Sequence, residues 1–173
     1  MFDFVIKDGT VIDGSGSPGV RADLAIQDGI VAEVGHVENQ SIRKIDATGK
    51  VVTPGFIDLH THSDNSFLID SFADSKLTQG VTLELMGNCG MSYCAPLNDN
   101  NLDGFKERTE RYDAGYLPGW STMDGYLTAL KEAGSTINLA AQVGHGTVRR
   151  AVMGMEPRMP NRHELEQMKG LFA

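Results

Sequence analysis

The feature that most constrains this chain is a change of rhythm near residue 50. Before it, short apolar runs alternate with turn residues: Phe4 to Lys7, Asp8-Gly9, Thr10 to Asp13, Gly14-Ser15-Gly16, Ala22 to Gln27, Asp28-Gly29 and Ile30 to Val34. Asp-Gly between apolar runs marks a hairpin, because both turn positions need positive φ. Residues 1–50 therefore read as a small β unit. From Val51 the pattern becomes strand, helix, strand. Val51 to His62 reads as a strand and Asn65 to Gln79 as a helix, with Phe67, Leu68, Phe72 and Leu77 near helical spacing and Gly80 as its cap. Val81 to Met86 reads as a second strand. Ser121 and Asp124 resemble a capping box opening a helix that ends at Gly134, and Ile137 to Val143 reads as a third strand. Strands alternating with helices imply βαβ units and a parallel sheet. Between second strand and capped helix lies a long Asn, Asp and Gly rich excursion over 90–120, of a length usually reserved for lids or insertions. A last helical pattern follows Pro160-Asn161, with Leu165, Met168, Leu171 and Phe172 on one side.

Composition narrows the function classes. The chain has 173 residues, 40% hydrophobic and 22% charged, with a formal net charge of -8. That charge opposes phosphate, and the basic residues form no stripe, so nucleic acid is excluded as a partner. The start has no secretory character, and no apolar run approaches the roughly 18 residues a membrane span needs. Two cysteines, Cys89 and Cys94, make no disulfide framework and point to a reducing, cytoplasmic compartment.

The chemistry concentrates in Gly55-Phe56-Ile57-Asp58-Leu59-His60-Thr61-His62-Ser63-Asp64. Strand alternation puts Phe56, Asp58, His60 and His62 on one face. Two imidazoles at i and i+2, at the carboxyl end of a strand, can chelate one zinc ion. Asp58 and Asp64 read as carboxylates that orient the ligands from behind. Gly87-Asn88-Cys89-Gly90 lies just beyond the second strand, and its thiol reaches the same rim as a third zinc ligand; a buried, inert cysteine is the plain alternative. Gly144-His145-Gly146-Thr147-Val148-Arg149 follows the third strand, so His145 stands at a carboxyl end as a substrate contact or as a histidine bonded within a turn. Arg149 or Arg150 is placed to meet an anionic substrate, with a solvated helix charge as the alternative. Cys94, His36 and His163 have no supporting context.

The run from Val51 to His62 resembles the metal-binding strand of the amidohydrolase superfamily. Gly80-Val81-Thr82, Gly87 to Gly90, Gly144 to Arg149 with Val152-Met153-Gly154, and Trp120 and Tyr126 narrow the resemblance to the D-aminoacylase branch, the N-acyl-D-amino-acid deacylases. The resemblance implies an α/β architecture: residues 1–50 as the amino-terminal part of a β-sandwich, and residues 51–173 as the first strands and helices of an incomplete TIM-like (β/α)8 barrel, about three strands of eight. It implies zinc on His60, His62 and Cys89, with Cys89 in the bridging position that a carboxylated lysine fills in dihydroorotase-like relatives. It implies hydrolysis of N-acyl-D-amino acids, with zinc polarising the carbonyl and activating water, and the position of His145 and Arg149 after the third strand makes them the candidate substrate contacts. The proton-shuttling aspartate and further histidine ligands are expected beyond Ala173, so residues 1–173 alone are expected to be inactive. A related cyclic amide hydrolase and a non-catalytic metal-binding module that self-associates through open sheet edges are the competing readings; Cys89 argues against the first.

Overall fold

The structure is a computed structural model and describes residues 1–112 and 119–173. The chain divides into two compact units, Met1–Pro54 and Gly55–Ala173. Among the described residues, no helix is long and apolar enough to cross a membrane.

The first unit is a mixed sheet of five strands: β1 Phe2–Val11, β2 Val20–Gln27, β3 Ile30–Gly35, β4 Ser41–Asp46 and β5 Val51–Val52. Their order is β3-β2-β1-β4, with β5 also paired to β1. β2 runs antiparallel to β1 and β3, while β4 and β5 run parallel to β1. Asp28-Gly29 turns the β2–β3 hairpin as expected, with φ of 51° and 75°. Asp8-Gly9 does not. β1 runs straight through it, and the pair forms a bulge where the register with β2 shifts between Ile6 and Gly9. Positive φ at Asp8 serves a bulge as well as a turn, so the dipeptide alone does not decide between them. Glycine is needed at position 9, where a Cβ would meet Val52 Cγ2 at 2.6 Å. Val5, Ala25 and Val37 form the small core on one face. Beside it, buried Asp23 accepts from Lys7 Nζ at 2.6 Å, Asp8 N at 2.9 Å and Val37 N at 3.0 Å.

The second unit is organised on a parallel sheet ordered β6-β7-β8, with β6 Phe56–Asp58, β7 Val81–Met86 and β8 Asn138–Ala141. Around these strands lie α1 Ser66–Ile69, α2 Asp74–Leu77, α3 Leu102–Tyr112, α4 Met123–Ala133, α5 His145–Met153 and α6 Arg162–Phe172. Phe67, Met86, Tyr93, Tyr126, Leu130 and Ile137 form the main core, and Val148, Met153 and Met168 a second one under α5 and α6. α6 begins with a capping box in which Asn161 accepts from Glu164 N and Glu164 from Asn161 N. The middle of the long excursion is helical as α3, and its residues 113–118 lie outside the described residues.

Three sequence expectations need correction. The strand expected over Val51 to His62 is interrupted at Thr53-Pro54-Gly55, so β5 joins the first unit's sheet and β6 the second's. Proline has no N–H to continue a ladder. β6 then ends at Asp58, leaving His60 and His62 in irregular backbone beyond it. The helix expected over Asn65 to Gln79 is two single turns, because Asp70 Oδ1 accepts from Phe72 N and Ala73 turns left-handed at φ 51°. The freed carbonyls of Ser71 and Phe72 bond instead to Thr136 N and Oγ1. Finally, α4 is capped by Thr122 rather than Ser121, with Thr122 Oγ1 accepting from Gly125 N at 3.1 Å.

Candidate metal centre

The imidazoles of His60 and His62 meet the thiol of Cys89 at the carboxyl ends of β6 and β7. Their ligand atoms lie within 4.8 Å of one another, the one group of three such side chains found among the described residues. His60 Nε2 is 3.3 Å from Cys89 Sγ, and the two histidine rings stand edge to face with centroids 5.6 Å apart. All three side chains are exposed. Two imidazoles and one thiol form a donor set suited to zinc and to neighbouring borderline metals. Donors within 4.8 Å of one another need only small side-chain rotations to share one ion at about 2.0–2.3 Å from each. The residues present therefore fit a metal.

Both ligand segments are fixed by short-range chemistry. After β6 ends, Asp58 Oδ1 accepts from His60 N at 3.1 Å and orders the first turn of the loop. The other oxygen, Oδ2, accepts from Lys76 Nζ at 2.6 Å, and the Lys76 ammonium holds the Asp58 carboxyl below its usual pKa. Asp64, which is buried, accepts from Gly87 N at 3.0 Å, while its carbonyl accepts from Tyr126 Oη at 2.7 Å. Asn88 Nδ2 donates to the carbonyls of Thr61 at 3.3 Å and Leu85 at 2.7 Å. The histidine loop and the cysteine turn are thus laced together behind the donor atoms.

The cysteine turn itself is tightly wound. Gly87, Cys89 and Gly90 have φ of 82°, 56° and 73°. A side chain at Gly87 would strike the Gln142 carbonyl oxygen at 2.3 Å. Gly144 and Gly146 press on Gly90 just as closely: a Cβ on either would lie 2.6 Å or 2.7 Å from the Gly90 carbonyl oxygen. These glycines let the backbone after β8 lie directly against the turn that carries Cys89. His145, between two of them, is the exposed first residue of α5 and is not part of the three-donor group. Arg149 lies one turn further on. Its guanidinium donates to the carbonyls of Gly154, Glu156 and Arg158, which engages it in holding the turn after α5. Cys94 is buried with its Sγ 2.9 Å from Ser92 Oγ, away from the donor group.

Sequence reasoning missed Lys76, Glu84 and Ser63, which underlie the histidine loop. Glu84 had a signal: it is the one charge in the otherwise apolar core of Val81-Thr82-Leu83-Glu84-Leu85-Met86. Lys76 had none, since its place depends on the break between α1 and α2.

A family model described as "Amidohydrolase family" matches residues 43–172. The chain belongs to the amidohydrolase family. Within that family it is 38% identical over 171 residues to the D-aminoacylase of Alcaligenes xylosoxydans xylosoxydans, a match that covers 98% of this chain and 34% of that protein. Among solved structures it is similar to an N-acyl-D-glutamate deacylase from Bordetella bronchiseptica complexed with zinc and a phosphonate inhibitor that mimics the tetrahedral intermediate. The TM-score is 0.85 at 36% identity, covering 98% of this chain and 35% of that one. A D-aminoacylase described as having a binuclear metal centre matches with a TM-score of 0.85 and 39% identity, over 99% of this chain and 36% of that one. The chain thus spans about a third of the length of the relatives it matches. The D-aminoacylase and the N-acyl-D-glutamate deacylase among these relatives are hydrolases of amide bonds, and their solved structures are described with metal.

Proposed function

We propose that this amidohydrolase sequence is the metal-binding amino-terminal part of a zinc-dependent enzyme that hydrolyses N-acyl-D-amino acids to a carboxylate and a free D-amino acid. The observation that carries the reading is the convergence of His60, His62 and Cys89 within 4.8 Å, in a chain whose most similar relatives include a D-aminoacylase. We take these three as zinc ligands, with Asp58 and Asp64 orienting the loops that bear them. Bound zinc would supply Lewis acidity toward the amide carbonyl and a nucleophilic water near neutral pH.

The chain's own residues then have separate tasks. His60 and His62 present imidazole nitrogens from a loop whose first turn is set by Asp58. Cys89 presents its thiolate from the glycine-bounded turn beneath the start of α5. His145, at that start, is assigned to the substrate side. Arg149, with its donors engaged by the 154–158 turn, is assigned to holding that turn. The three parallel strands β6 to β8 are taken as the first strands of a (β/α)8 barrel, and the β1–β5 sheet as one layer of a β-sandwich. The group that passes a proton to the leaving amine is assigned to the remainder of the longer protein, because general acid catalysis needs a donor within hydrogen-bond reach of the amine. A cyclic amide hydrolase is disfavoured by a thiol where such enzymes use a carboxylated lysine.

The test is release of free D-amino acid from N-acetyl-D-glutamate and N-acetyl-D-methionine, with the L-isomers as controls, by the enzyme that contains this segment. Zinc-dependent turnover of the D-isomers, lost in His60→Ala and Cys89→Ser, is the expected result. Turnover that survives both substitutions would remove these residues from the mechanism.

A further inference from the structure

Asp58 on β6 and Glu84 on β7 are register partners in the parallel sheet, so two carboxylates stand side by side on one face. Glu84 is wholly buried, at 0% exposure. Like charges opposite one another on neighbouring strands repel, and a buried carboxylate without a cation is strongly destabilising. The cation comes from α2: Lys76 Nζ lies 2.6 Å from Asp58 Oδ2 and 2.9 Å from Glu84 Oε1. Neutralising the pair uses only one oxygen of each carboxylate. The second oxygens both go to the histidine loop, Asp58 Oδ1 to His60 N and Glu84 Oε2 to Ser63 Oγ. Lys76 Nζ also reaches Thr61 Oγ1 at 3.4 Å, and Thr61 Oγ1 is 2.9 Å from Ser63 Oγ. An ion pair that served only to dock α2 on the sheet would need none of these last contacts.

We propose that Lys76 and Glu84 are positioning residues of the metal centre, which hold His60-Thr61-His62 from both ends through a single ammonium bridging two carboxylates. The inference rests on the reading of His60, His62 and Cys89 as metal ligands. Lys76 makes no contact with the donor atoms; it acts through Asp58, Thr61 and, by way of Glu84, Ser63.

Charge and positioning predict opposite signs, which makes the proposal testable. Lys76→Met removes a positive charge and exposes two carboxylates beside a cation site, so electrostatics alone tightens cation binding. Loss of positioning loosens it, by the roughly 10- to 100-fold typical when a group behind a metal ligand is removed. Titrate the 173-residue chain with cobalt(II), reading the dissociation constant together with the thiolate-to-cobalt absorption that reports Cys89, and check folding by circular dichroism. The expected result is affinity weaker by about 10- to 100-fold in Lys76→Met, similarly directed weakening in Glu84→Gln, and partial recovery in Lys76→Arg. Affinity that is unchanged or tighter in folded Lys76→Met overturns the proposal. Should Lys76→Met fail to fold, Ser63→Ala decides, since it leaves the ammonium and both carboxylates intact and removes only the hydroxyl that meets Glu84 and Thr61: weaker cobalt binding supports the proposal and unchanged binding overturns it. A parent chain whose cobalt binding is indifferent to His60→Ala overturns the metal reading itself, and this inference with it.

Discussion

Gly87 shows how far single positions decide this site. Its φ of 82° lies where side chains are strained, and a Cβ there would sit 2.3 Å from the Gln142 carbonyl oxygen. Gly87→Ala is therefore expected to destabilise the chain by roughly 2–4 kcal/mol, combining left-handed backbone strain with a backbone clash. Gly29→Ala is the control. Gly29, in the β2–β3 hairpin turn, has φ 75° but nothing within 4 Å of its Cβ position, so it should lose only the roughly 1–2 kcal/mol of the strain itself. Denaturant unfolding of both variants checks this; equal losses would mean that the contact with Gln142 carries no weight. The three donors were legible at this scale because His-x-His after an apolar run and Cys in a glycine turn are local patterns. Their meeting was legible for a partly wrong reason. The histidines were placed by strand alternation, yet β6 stops at Asp58, and an aspartate-capped turn brings them to the cysteine.

Among the elements, those with local stop signals were the ones sequence could bound. β7 matches its expected limits, and α4 ends at Gly134 as expected. The split between α1 and α2 was hidden because local and tertiary contacts share in it: beside the Asp70–Phe72 bond, Thr136, far along the chain, takes carbonyls that a continuous helix would use. The parallel pairing of β1 with β4 and β5 was equally invisible to a reading tuned to hairpins. At α6 the Asn161–Glu164 capping box is local, and Asn161→Ala should lower stability by about 1 kcal/mol. In the first sheet, the Lys7 ammonium and the Asp8 and Val37 amides hold the Asp23 carboxyl well below the usual carboxylate range. A lowered pKa in the folded state contributes stability that is full above the unfolded value near 3.9 and declines as pH falls through the folded value. Melting temperature should thus drop on acidification below about pH 4, and Asp23→Asn should be less stable at neutral pH with a shallower acid loss. An unaltered acid profile in Asp23→Asn would place the acid-sensitive group elsewhere.

For the whole molecule, the exposed apolar surface matters as much as the core. Register puts Phe4, Leu24, Ile26, Val34 and Ile45 on the same sheet face, opposite Val5 and Ala25, and Phe4, Val34 and Ile45 are exposed there. The strands β3, β4, β6 and β8 also end their sheets without a further strand among the described residues. Apolar faces and open edges of this kind drive association. The 173-residue chain is expected to bind a hydrophobic dye and to sediment as a concentration-dependent mixture, with both effects reduced in Val34→Lys. Family membership was legible from sequence because the motifs are contiguous, whereas the sandwich and barrel were carried by resemblance alone.

The central claim is that His60, His62 and Cys89 hold one metal ion together, and cobalt(II) spectroscopy tests it most directly. Titration of the chain should produce a thiolate-to-cobalt absorption band that saturates with metal, vanishes in Cys89→Ser, and requires much more cobalt in His60→Ala and His62→Ala. A band that persists in Cys89→Ser, or a titration that neither histidine substitution weakens, would contradict the account.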